Sequence, residues 1–188
     1  MPAKTNTSKP TWTAIRKRLR GWEPEALLAL IKDLHDSSAS NRDFLQARVS
    51  VTSGGSDALE RYRERVIEPF YPKRGEPKLR LGEARKAIRE YHKATGDELG
   101  TIELLLVYSE TGAEFTNEFG DIDDRFYNSL CSAMDDLSDR IRKQGTATWE
   151  SLAPRLEKLV DSTSGIGWGY HDCLRYAFNE LEGHFAAT

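Results

Sequence analysis

D-E-L-G-T-I-E-L-L-L-V-Y-S-E-T-G-A-E-F-T-N-E-F-G-D-I-D-D-R-F-Y-N, residues 97–128, governs how the rest of the chain is read. Its first half holds the most apolar run in the protein, Ile102 to Tyr108. Its second half is acidic and aromatic, with Glu110, Glu114 and Glu118 four residues apart. A helix that is apolar almost all round is buried on most sides. The pattern therefore predicts a central helix that Asp97 can cap and Gly120 ends. The other helices are expected to pack around it.

On the C-terminal side, Tyr127, Leu130, Met134, Leu137 and Ile141 step by three and four through residues 124–144, and Gly145 follows. This is the strongest amphipathic signal in the chain. Trp149, Leu152, Leu156, Leu159 and Val160 mark a further helix with Pro154 early in it, and Cys173, Leu174, Ala177, Phe178 and Leu181 mark the last. The expected core joins Leu104, Leu105, Tyr108, Leu130, Met134 and Leu174.

On the N-terminal side, Ala84, Ala87, Ile88 and Tyr91 share one face of a helix over about 81–95, closed by Gly96. The preceding stretch Y-P-K-R-G-E-P-K-L-R, residues 71–80, holds two prolines and a glycine and reads as a loop. Before it, Leu59, Tyr62, Val66 and Phe70 follow a possible Asp57 cap, and Pro69 ends that helix. Thr52 to Ser56 reads as a loop, and Phe44, Leu45 and Val49 as the inward side of the helix before it. Leu27, Leu30, Ile31 and Leu34 form a stripe behind the first-turn Pro24. Trp12, Ile15 and Leu19 form another among Arg16, Lys17, Arg18 and Arg20, ended by Gly21. No segment alternates with period two, and no hairpin dipeptide occurs. The expected fold is all-α: a single domain of eight or nine antiparallel helices, either a bundle or an irregular helical-hairpin array. Residues 1–10 read as a disordered tail and 11–188 as the helical domain, with a basic first helical group at 11–70 and a core group at 81–183.

The 188 residues suffice for one sizeable core. An apolar fraction of 38% with plentiful aromatics excludes a disordered chain. No apolar run reaches the length of a membrane span, and no signal-peptide pattern opens the chain. Cys131 and Cys173 fall at apolar helix positions and read as buried free thiols in a reducing cytoplasm, rather than as a disulfide or a zinc site. The net charge of −3 hides an asymmetry. Residues 1–93 carry 20 Lys and Arg against 12 Asp and Glu, and residues 94–188 carry 7 against 18. Either the halves pack together and partly neutralise each other, which is favoured, or the basic half faces a polyanion.

Three blocks are word-like: F-Y-P-K-R-G-E-P-K-L-R-L-G-E-A-R-K-A-I (70–88), E-F-T-N-E-F-G-D-I-D-D-R-F-Y-N-S-L (114–130) and S-G-I-G-W-G-Y-H-D (164–172). On these the chain resembles an uncharacterised bacterial family of small helical proteins, a domain of unknown function, over about residues 20–182. The resemblance implies a soluble helical domain and brings no catalytic residues with it.

Candidate binding residues lie in those blocks. Gly165, Gly167 and Gly169 lack the preceding strand and following lysine of a phosphate loop, and read as a close helix approach that turns Trp168 and Tyr170 inward. His171 beside Asp172 could act as a general base, but no nucleophile element accompanies it. Glu110, Glu114 and Glu118, with Asn117 and Asp121 nearby, could hold a divalent cation; the favoured reading pairs the glutamates with arginines of the basic half. Lys73, Arg74, Lys78 and Arg80 are denser than folding requires and could contact phosphates. The expected function is a non-enzymatic helical interaction or adaptor module with a protein partner. The alternatives are a nucleic-acid-binding accessory protein using residues 61–93, or a metal-dependent hydrolase using Glu114, Glu118, Asp121 and His171. No cofactor and no membrane partner is expected. The three blocks are predicted to meet, with Glu118 and Asp121 facing Arg74 or Arg80.

Overall fold

The computed structural model describes residues 9–50 and 56–187. Among them are nine helices and no strand: α1 (Trp12–Leu19), α2 (Pro24–Ser37), α3 (Ala39–Ser50), α4 (Ser56–Ile67), α5 (Leu81–Thr95), α6 (Glu98–Phe119), α7 (Asp124–Gln144), α8 (Thr146–Ser162) and α9 (Tyr170–Ala186). The all-α expectation holds. The tail over residues 1–8 and the loop over 52–55 lie outside the described residues. Asp57 stands in the first turn of α4 and not before it, because the helix opens at Ser56. No described helix is long and apolar enough to cross a membrane.

The chain divides into two compact units, 1–45 and 46–188. The boundary lies inside α3. The Pro/Gly loop at 71–80 is not a boundary: α4, which precedes it, packs on α5 and α6, which follow it.

In the 46–188 unit α6 packs against α4, α5, α7 and α8, while α9 packs on α7 and α8. The central-helix reading follows from burial, since most of α6 is covered from Gly100 to Thr116, with Glu103, Glu110 and Glu114 left on its one open face. Two of its buried hydroxyls bond the backbone one turn back: Thr101 Oγ1 donates to Asp97 O (2.6 Å) and Ser109 Oγ to Leu105 O (3.2 Å). Asp97 caps α6 by accepting from the Gly100 amide (2.9 Å), and also accepts from Tyr91 Oη (2.6 Å). Leu104, Leu105, Tyr108, Leu130, Met134 and Leu174 are all fully buried. Gly145 alone separates α7 from α8, at φ +92°, a left-handed conformation that glycine adopts without steric cost. Val49, read as inward, is exposed, and Ala47 is buried instead.

One further expectation is corrected. Cys131 on α7 and Cys173 on α9 are half-buried and joined as a disulfide, with Cα atoms 6.2 Å apart. A separation of 42 residues in sequence does not reveal that α7 and α9 lie side by side. The charged halves do pack together, α4 and α5 on α6, and the pairs that cross between them neutralise them in part. Close ion pairs form within each half, as Arg65–Glu90 (2.6 Å) and Arg140–Glu98 (2.6 Å) do. Arg85–Asp136 crosses between the halves at 3.7 Å.

In the 1–45 unit neither α1 nor α2 contains a buried residue. Trp12 is 67% exposed and Leu28 64%, and Ile15, Trp22, Ile31 and Leu34 are also exposed. Among the described residues of this unit, Asn41 of α3 ties to the end of α2 by donating to Leu34 O (2.9 Å).

Candidate functional site

The loop at 71–80 is fastened by its ends. The Leu79 amide donates to Pro69 O (3.1 Å), and Leu79 itself lies at φ +46°. Arg74, Lys78 and Arg80 then line one hollow of about 130 Å³ together with Glu68 and Glu76. Lys73 lies outside it, paired with Glu64 at 3.3 Å, and Arg80 also reaches Glu83 at 3.3 Å.

The acidic block touches both of the others. Tyr71 Oη donates to Glu118 (3.1 Å), and its ring packs on Phe115. Burial, reinforced by Glu118, pushes the Tyr71 phenol up to about 12. Leu79 and Arg80 share a cleft of about 350 Å³ with Ile122, Asp123 and Arg125. On the other side Asp121 stands against Gly167, where a β-carbon would come within 3.3 Å of Asp121 Oδ2. Tyr127 is the local hub. Its hydroxyl donates to Asp121 (3.1 Å), lies 2.6 Å from Thr116 Oγ1, and its ring meets that of Tyr170.

The contacts are not the expected ion pairs. Glu118 and Asp121 take tyrosine hydroxyls as partners. A phenol satisfies a carboxylate without taking a second charge out of water. Tyr170 does turn inward and donates to Ser109 O (3.3 Å), whereas Trp168 turns outward at φ +60°. His171 and Asp172 go separate ways: His171 Nδ1 meets Thr163 Oγ1 at 3.1 Å, and Asp172 pairs with Arg175 at 2.7 Å. The Thr163 hydroxyl already donates to Val160 O (2.7 Å), so His171 is the donor in that contact. Among the described residues no three His, Cys, Asp or Glu side chains converge as a metal site.

Glu110 does find an arginine, but from α8 and not from the basic half. Arg155 Nε and Nη2 donate to the two Glu110 oxygens (2.6 and 2.7 Å), and Nη1 donates to Glu103 (2.6 Å). The bonds to Glu110 and Glu103 outweigh burial and raise the guanidinium's affinity for its proton. Farther along, Asn117 Nδ2 donates to Ser162 O (2.8 Å). Glu110, Glu114, Asn117, Arg155, Lys158 and Ser162 line a groove of about 300 Å³ over Leu159. Sequence reasoning singled out the α6 wall and missed the α8 wall. The available signal was the spacing, since Arg155 and Ser162 are seven residues apart, as are Glu110 and Asn117.

No protein-family model, no curated protein and no solved structure matches the chain.

Proposed function

We propose that the chain is a helical interaction or adaptor module whose docking element is formed by α1 and α2. One observation carries this reading: both helices have apolar stripes, and neither has a buried residue. Helices of 8 and 14 residues are marginal in water unless an apolar face is covered. Large apolar side chains left exposed along such faces, as Trp12, Leu28, Ile31 and Leu34 are, suit an interaction site. The partner's chemistry follows from α1. Arg16 and Arg18 flank the Trp12, Ile15 and Leu19 stripe on either side, and no acid lies between Trp12 and Arg20. A polypeptide offering an apolar ridge edged by Asp or Glu complements both features. The resemblance of the three blocks to an uncharacterised bacterial family adds no reaction to this reading.

The test is backbone hydrogen exchange on the purified full chain. Amides of residues 12–37 should exchange far faster than those of α6 and α7, and should slow when a partner binds. The Leu28→Glu, Ile31→Glu chain should no longer hold that partner. Protection of 12–37 equal to that of α6 in an isolated monomer would mean these helices are already covered, and would overturn the reading.

A second reading, polyanion binding, is favoured by the shared hollow of Arg74, Lys78 and Arg80. Three cations around one concavity suit a phosphate better than three scattered ones do, although Glu68 and Glu76 oppose it.

A further inference from the structure

The groove between α6 and α8 is held open at both ends. Glu110–Arg155 ties one end, and Asn117–Ser162 ties the other. Equal steps of seven residues on the two helices mean that they run in the same direction and in register. Seven helical residues rise about 10 Å, which sets the length between the ties. In that interval α6 presents Glu114 and α8 presents Lys158, with the buried Leu159 as floor.

The charges in the groove are not equivalent. Arg155 is committed to Glu110 and Glu103. Among the described residues, Glu114 and Lys158 form no ion pair and no side-chain hydrogen bond. One anion and one cation thus line the same short groove without meeting each other. A simple anion placed there would meet Glu114, and a simple cation would meet Lys158. A ligand carrying both signs meets each with its complement and makes no like-charge contact.

We propose that this groove binds a small zwitterion, an α-amino acid or dipeptide, with its ammonium on Glu114 and its carboxylate on Lys158. Asn117 Oδ1 is placed to accept a further N–H, since only the amide nitrogen of Asn117 is used in the tie to Ser162. Leu159 supplies apolar surface for an aliphatic side chain. The volume of about 300 Å³ sits at the small end of ligand pockets and suits a ligand of this size. The site belongs to the 46–188 unit and does not depend on the docking role of α1 and α2.

The experiment is a heteronuclear NMR titration of the full chain with L-leucine and glycyl-L-leucine. Two analogues serve as controls: 4-methylpentanoate lacks the ammonium and leucinamide lacks the carboxylate. At least one zwitterion should give saturable shifts at Asn117, Lys158 and Leu159, with each analogue about tenfold weaker or worse. Glu114→Gln and Lys158→Met should each weaken the zwitterion by about tenfold or more. Both side chains are exposed, so the unfolding midpoint should not move. The absence of saturable shifts from either zwitterion up to about 10 mM, well beyond millimolar affinity, would overturn the proposal. So would analogues that bind as tightly as the parent, or affinity unchanged in both variants.

Discussion

Gly112 of α6 faces Leu130 of α7 so closely that a β-carbon on Gly112 would lie 2.5 Å from Leu130 Cδ2. Leu130 is fully buried, so its side chain has no room to swing away. The closest approach of the two central helices therefore rests on a missing side chain. Alanine in place of Gly112 would gain about 1 kcal/mol of helix propensity. Overpacking costs about 1–3 kcal/mol and should win. Gly112→Ala is expected to lower the urea midpoint, and adding Leu130→Ala should cost less than the two single changes combined. A raised midpoint for Gly112→Ala alone would show that the interface can relax.

Alkaline pH should unfold the protein through its tyrosines. Burial raises the phenols of Tyr71, Tyr91, Tyr108, Tyr127 and Tyr170, with Tyr71 reaching about 12. Each such phenol holds its proton more tightly folded than unfolded. Its contribution is full below the unfolded value of about 10 and is lost as pH rises through the folded value. Phenolate absorbance and helix ellipticity should therefore change together above about pH 10. Complete phenol ionisation at that pH with the helices intact would contradict the burial of these rings.

The central helix and its neighbours were legible because their signals are local. Asp97 and Gly120 bracket α6, and the step of three and four from Tyr127 to Ile141 matches the buried side of α7. The meeting of the acidic block with its two neighbours was also anticipated, but its chemistry was not. Hydroxyl contacts such as Tyr71–Glu118 span 47 residues and leave no trace in periodicity. For the same reason nothing in the sequence singles out Arg155, 45 residues from Glu110, as its partner. The uncovered stripes of α1 and α2 look in sequence like those of any packed helix, because amphipathicity does not say what does the covering.

Arg85 is an imperfectly paired buried cation. Its side chain is 18% exposed, Asp136 lies 3.7 Å away, and Nη1 is buried without a hydrogen-bond partner among the described residues. Burial lowers its proton affinity despite Asp136. Replacing such a group by an apolar one of similar length is often neutral, or stabilising by about 1–4 kcal/mol. Arg85→Met should not lower the thermal midpoint. A clear loss would assign Arg85 a larger structural role than its contacts indicate.

The polyanion reading has its own test. The wild-type chain should shift a single-stranded oligonucleotide at low salt, and the triple change Lys73→Glu, Arg74→Glu, Lys78→Glu should abolish the shift. Log affinity should fall linearly with log salt, with a slope of about −0.7 for each phosphate contacted on a single strand. No shift of any oligonucleotide by the wild-type chain at low salt would remove this reading.

The Cys131–Cys173 bond closes a covalent ring that holds the C-terminal part of α7, all of α8 and the start of α9. In the chain-entropy account, closing 42 residues is worth about 4 kcal/mol. The ring also has a topological effect. A single cut anywhere between residues 132 and 172 severs the backbone without releasing a fragment. A nicked molecule would run at full length on a gel until a reductant is added, and would then fall into two pieces. Proteolytic damage to the helix that forms one wall of the zwitterion groove would thus go unseen under oxidising conditions, while the two ends of the cut stay tethered for as long as the sulfur bridge holds.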